Sequence, residues 1–145
     1  PVTLGGGLQV EGNGHVSPAS GDHAGRERLI ELLLSDEPFM PLTSEEGGSR
    51  LIHKRRVVLI RFASLFDADL SPEETEGAVE VPVRVELCGL PPDRALVDGR
   101  MMIVMPPGHC RIIDYLNVAR PFFPLLSDGG VALVGLKHVV SVTPL

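Results

Sequence analysis

Four consecutive basic residues, His53-Lys54-Arg55-Arg56, stand in a chain whose formal net charge is −6. Guanidinium and ammonium groups in a row are donors that can grip phosphates or the carboxylates of an acidic partner. The same charges on a hairpin or edge strand also serve to block unwanted strand pairing. Ser20, Asp22 and His23 are the residue types of a hydrolytic triad, but they are too close in sequence to reach its geometry from one loop, and no nucleophile elbow accompanies them. A turn that caps a helix is the plainer reading. His109-Cys110 could open a metal site, yet His15, His23, His53 and His138 show no ligand spacing. Gly5, Gly6, Gly7, Gly12 and Gly14 suggest a phosphate loop only superficially. No Gly-Lys-Ser/Thr follows them, so they are read as bulges and turns. No catalytic constellation and no cofactor or metal site is expected.

The elements that would position these residues show an internal repetition. Pro38-Phe39-Met40-Pro41-Leu42 and Pro121-Phe122-Phe123-Pro124-Leu125 differ only at the central position. Without a gap before them, Arg28-Leu29-Ile30-Glu31 lies over Arg111-Ile112-Ile113-Asp114, and Leu33 over Leu116. With one deletion after them, Gly47-Gly48 lies over Gly129-Gly130, Leu51-Ile52 over Leu133-Val134, and Val57-Val58 over Val139-Val140. Further back, Val10-Glu11-Gly12 lies over Val97-Asp98-Gly99, and Val16-Ser17-Pro18 over Val104-Met105-Pro106. The expected organisation is therefore a first repeat over residues 1–62, an acidic connector over 63–78, and a second repeat over 79–145. Lys137-His138 becomes the second repeat's counterpart of the basic run.

Each repeat reads as β-β-α-β-β. Val81-Pro82-Val83-Arg84-Val85-Glu86-Leu87 alternates apolar and polar, the period of a half-buried strand; Val2-Thr3-Leu4 is its short counterpart. Second strands are expected over 8–17 and 96–105. Met101 to Met105 is continuously apolar, so that strand is either covered on both faces or carries an interface at Met101, Met102 and Ile103. Helices are expected over 26–35 and 110–118, each stopped by the proline that follows, Pro38 or Pro121. Arg28/Glu31 and Arg111/Asp114 stand three apart on a helix, the spacing of an ion pair that fixes it. The closing strands, 39–43 with 50–62 and 122–126 with 131–142, carry a break near His53-Lys54-Arg55 and Gly135-Leu136-Lys137. Their hairpins turn at Glu46-Gly47-Gly48 and Asp128-Gly129-Gly130.

Composition limits the function classes. With no Trp, one Tyr and 43% hydrophobic residues, the core is built from aliphatic side chains. The acidic balance argues against a generic nucleic-acid coat, and DNA is not an expected partner, while one local basic patch stays open. No stretch reaches the length of a membrane span, and Pro1 to Gly7 does not read as a signal peptide; with no initiator Met, the numbering is expected to begin inside a longer protein or after processing. Two cysteines without a CxxC suggest reduced thiols and a cytoplasmic setting; whether Cys88 and Cys110 pair is open.

The second repeat resembles the Sm-like family, bacterial Hfq in particular, and small SH3-like barrels generally. The likeness is carried by Val81 to Leu87, by Leu96-Val97-Asp98-Gly99, and by Leu136-Lys137-His138-Val139-Val140-Ser141-Val142. Sm-like proteins carry their helix ahead of the first strand, whereas here it falls between the second and third. Leu136 stands where Hfq has an aromatic residue. Arg111, Asp114, Leu116 and Asn117, followed by Phe122 and Leu125, are also similar to a run in small bacterial proteins of no assigned activity. The resemblance implies a mainly β (α+β) fold of two tandem Sm/SH3-like half-barrels, each with one short inserted helix. It also implies RNA contact at His53, Lys54, Arg55, Arg56, Lys137 and His138. The expectation from the residues is a non-enzymatic protein-interaction or assembly module that self-associates, with Sm-like RNA binding as the alternative.

Overall fold

The computed structural model describes residues 1–11, 13–14, 29–43, 48–63, 77–104, 111–118 and 121–145. The protein is mainly β, with every strand pair antiparallel. In chain order the elements are β1 (Val2–Leu4), β2 (Gln9–Val10), β3 (Asn13–Gly14), α1 (Leu29–Leu34), β4 (Phe39–Thr43), β5 (Ser49–His53), a 3₁₀ turn (Lys54–Arg56) and β6 (Val57–Phe62). Then follow β7 (Val79–Leu87), β8 (Leu96–Ile103), α2 (Ile112–Val118), β9 (Phe122–Ser127), β10 (Gly130–Gly135), a second 3₁₀ turn (Leu136–His138) and β11 (Val139–Pro144). An eight-stranded sheet runs β11-β7-β8-β9-β10-β6-β1-β2, and a three-stranded sheet runs β3-β4-β5.

Alternation decides the faces of β7: Val83, Val85 and Leu87 are buried while Pro82, Arg84 and Glu86 are exposed. On its outer face Arg84 donates twice to Asp98 on β8, at 2.7 Å each. β8 pairs with β7 along its whole length but with β9 only at Arg100 and Met101. Gly99 sits just before that switch, where an added Cβ would lie 2.5 Å from the Leu126 carbonyl oxygen. A side chain there would push β9 away.

The strand expected over residues 8–17 begins as two short pieces. β2 pairs with β1 and β3 pairs with β4, so they belong to different sheets. The expected closing strands are also each divided in two. Their break is a 3₁₀ turn, after which the chain takes new partners: β5 pairs with β4, whereas β6 pairs with β1 and β10. The two pieces of the first run lie in different sheets, and those of the second at separate places in the eight-stranded sheet, so neither run can continue as one extended strand.

Leu32 and Leu33 of α1 are buried, and Pro38 follows the helix. On α2 the expected ion pair forms, with the Arg111 guanidinium donating twice to Asp114 at 2.8 Å. Arg28 and the Glu31 side chain lie outside the described residues, as do Ser20, Asp22, His23, His109, Cys110 and almost all of the acidic connector. Cys88 is an exposed free thiol.

The β6–β10 pairing, in the register Phe62↔Val131 to Leu59↔Val134, joins the two halves of the chain. It also interlocks two cores. Phe122 and Leu133 pack with Val2, Leu33, Met40, Ile52 and Ile60, while Val58 and Leu59 pack with Val83, Met101, Phe123 and Val134. Met101, Met102 and Ile103 belong to this interior, and Met101 and Ile103 are fully enclosed. These three side chains are covered by their own chain, whereas Val104, next in the apolar run, is 48% exposed and Met105 lies outside the described residues.

Candidate binding cleft at the β6–β10 seam

Both 3₁₀ turns end where a strand must leave one sheet neighbour and join another. Each is held by matching backbone bonds. Lys54 N–H donates to the Pro38 carbonyl (2.9 Å) and Leu136 N–H to that of Pro121 (2.8 Å). The Arg56 carbonyl accepts from Gly5 (2.9 Å) and the His138 carbonyl from Cys88 (2.8 Å). Because β6 and β10 are neighbours, the two turns flank one cleft of about 880 Å³. Leu33, Leu34, Pro38, Pro121, Phe122 and Leu136 give it apolar walls, and His53, Lys54, Arg55 and Lys137 line it too, with Asp36 and Glu37 on the α1 side.

The six basic residues singled out in the sequence divide into three roles. Lys54 is not a surface cation. It is 7% exposed, and its ammonium donates to the Ser35 carbonyl (3.0 Å) and hydroxyl (2.7 Å), tying the turn to the end of α1. Lys54 therefore stands apart from the exposed members of the basic run. His53 is half-buried and structural. Its Nδ1 accepts from Arg55 N–H at 3.1 Å, capping the turn, and its ring meets Phe39 edge-on at 4.8 Å.

Arg55, Arg56 and Lys137 are exposed; Arg55 and Lys137 line the cleft, and Arg56 lies close enough to act on Lys137. None of the three takes part in an ion pair among the described residues. Burial, reinforced by the positive charges of Arg55 and Arg56, holds the Lys137 ammonium below its ordinary pKa. His138 stands behind them. Burial first, then Lys137, with Arg56 adding less, hold its ring below the usual histidine value, while a backbone hydrogen bond with Arg55 opposes them. Its Nε2 is buried without a hydrogen-bond partner. The positive charges of Arg55 and Arg56 thus reach across the seam to Lys137.

Sequence reasoning missed the cleft itself, because Pro121 and Phe122 meet Leu33 and Lys54 only through the β6–β10 pairing. Among the described residues no group of three or more His, Cys, Asp or Glu is placed to hold a metal ion. No helix among them is long and apolar enough to cross a membrane. Comparison with known protein families, curated proteins and solved structures finds no match.

Proposed function

We propose that the chain is a non-enzymatic protein-interaction and assembly module of two tandem Sm/SH3-like half-barrel units, residues 1–62 and 79–145, whose seam cleft takes an anionic partner. The tandem layout is supported by shared register. Phe39 pairs with His53 as Phe122 pairs with Gly135, Met40 with Ile52 as Phe123 with Val134, and Leu4 with Val57 as Leu87 with Val139. The reading of the cleft is carried by one observation: Arg55 from one half and Lys137 from the other line one apolar-walled cleft, with Arg56 close enough to act on Lys137. A matching partner is an acidic protein segment that also carries an apolar side chain. A cytoplasmic setting rests on cysteine usage alone.

Sm-like RNA binding at the same cleft is the second reading. It is favoured by Phe39, an exposed ring beside His53 on which a base could stack. A fluorescent glutamate- and leucine-containing peptide and a single-stranded RNA of the same length separate the two. Peptide binding lost in the Arg55→Glu/Arg56→Glu protein supports the acidic-segment reading. RNA binding whose logarithm falls linearly with that of salt, with a shallower slope in the variant, supports the second. Binding of neither ligand sinks both.

A further inference from the structure

The internal seam has a strand on each side, β6 and β10, and the chain holds a second copy of each that is not used. In the tandem register β11 is the counterpart of β6, and β5 is the counterpart of β10. Among the described residues, β11 pairs only with β7 and β5 only with β4, so each leaves an open edge. Leu145 N–H donates to Pro82 on β7. The alternation of a strand therefore turns the backbone groups of Val142 and Pro144 toward the open side.

Burial marks what the open edges lack. At the seam Phe122 is 6% exposed and Leu133 0%, covered by the first half; their counterparts Phe39 and Leu51 are 48% and 71% exposed. Val58 on β6 is 0% exposed, and its counterpart Val140 on β11 is 59% exposed. Apolar residues are thus bare on both open edges at the positions the seam encloses. We infer that the occupant is a second copy of this chain, with β11 of one copy pairing antiparallel with β5 of the next. The seam dictates the register: Ser141 opposite Ile52, Val142 opposite Leu51, Thr143 opposite Arg50 and Pro144 opposite Ser49. Arg50 and Pro144 limit indiscriminate pairing at these edges, and the Val142 backbone groups are left to bond. The contact is head to tail, so its repetition generates a closed ring or a filament.

This inference rests on the assembly part of the function proposed above. The test is light scattering on the whole chain together with Leu51→Asp and Val140→Asp, both at exposed positions and both checked for fold by circular dichroism. A second measurement mixes two proteins, each also carrying Cys88→Ser and Cys110→Ser: one with Thr143→Cys, the other with Arg50→Cys. The expected result is a multimer that either aspartate dissociates to monomer, and a disulfide that forms in the mixture but in neither protein alone. A multimer indifferent to both aspartates, with no mixed disulfide, overturns the edge contact and leaves assembly standing. A monomeric wild-type chain overturns both.

Discussion

Lys54 shows how a basic residue becomes structural. In the proposed tandem register its counterpart is Leu136, which packs against the second core. In the first half a lysine fills the same turn position and gives its ammonium to Ser35. Truncation removes that bond and leaves Ser35 groups without their donor, so Lys54→Ala should lower stability by about 1–3 kcal/mol, read by urea denaturation. Arg55→Ala and Arg56→Ala, at exposed positions, should stay within about 0.5 kcal/mol of wild type. His138 predicts a pH dependence. Its folded-state pKa is depressed, so the unfolded chain binds the proton more readily. Stability is then fully present above the ordinary histidine value of 6.5 and lost as pH falls through the depressed folded value. Denaturant midpoints measured between pH 7.5 and 5 should fall with pH, and His138→Gln should flatten that slope.

At the scale of elements, glycines at both ends of β10 let it lie close to β6; at Gly135 an added Cβ would be 2.8 Å from the Val57 carbonyl oxygen. Gly130 begins β10 with φ +123°, and a Cβ there would collide with the Phe62 carbonyl oxygen on β6. Gly130→Ala combines a left-handed strain with a backbone clash and should cost more than about 1 kcal/mol. Leu133→Ala, in the middle of β10 and fully buried, should cost about 2–5 kcal/mol through the cavity it leaves. Thermal melts of both variants check this; a Gly130→Ala protein as stable as wild type would mean that the seam can open there without penalty. The 3₁₀ turns work at this scale too. Each lets one run of chain serve two sheet neighbours, and the β6–β10 pairing then draws their charges together.

For the molecule as a whole, the interlocked cores matter most. Val58 and Leu59 fill the core of the second half, and Phe122 and Leu133 fill that of the first. Neither half is complete alone, and a unit of this size buries little surface to spare. The full chain should therefore unfold in a single transition, with fluorescence-independent probes such as circular dichroism and heat capacity coinciding. Residues 79–145 expressed alone should show weak or no cooperative melting. An isolated second half that melts as sharply as the full chain would sink this account of the cores. The same logic extends outward to the proposed chain-to-chain contact, which repeats the internal seam with β11 and β5.

Much of the local structure was legible in the residues. Alternation from Val81 to Leu87 marked a half-buried strand, Pro38 and Pro121 marked where the helices give way, and the spacing of Arg111 and Asp114 marked their ion pair. Each of these depends on a period or a ring that acts within a few residues. Burial of Lys54 was not legible, and for Met101 to Ile103 the residues left coverage and an interface both open, because exposure depends on what arrives from elsewhere in the chain. Nor was the cleft. His53 to Arg56 and Lys137-His138 could be recognised as basic, but only the contact with Ser35 sets the anchoring Lys54 apart, and only the pairing of β6 with β10 brings Lys137 to Arg55. That pairing is a long-range choice among antiparallel partners, made by which apolar faces and backbone edges fit once both halves are folded.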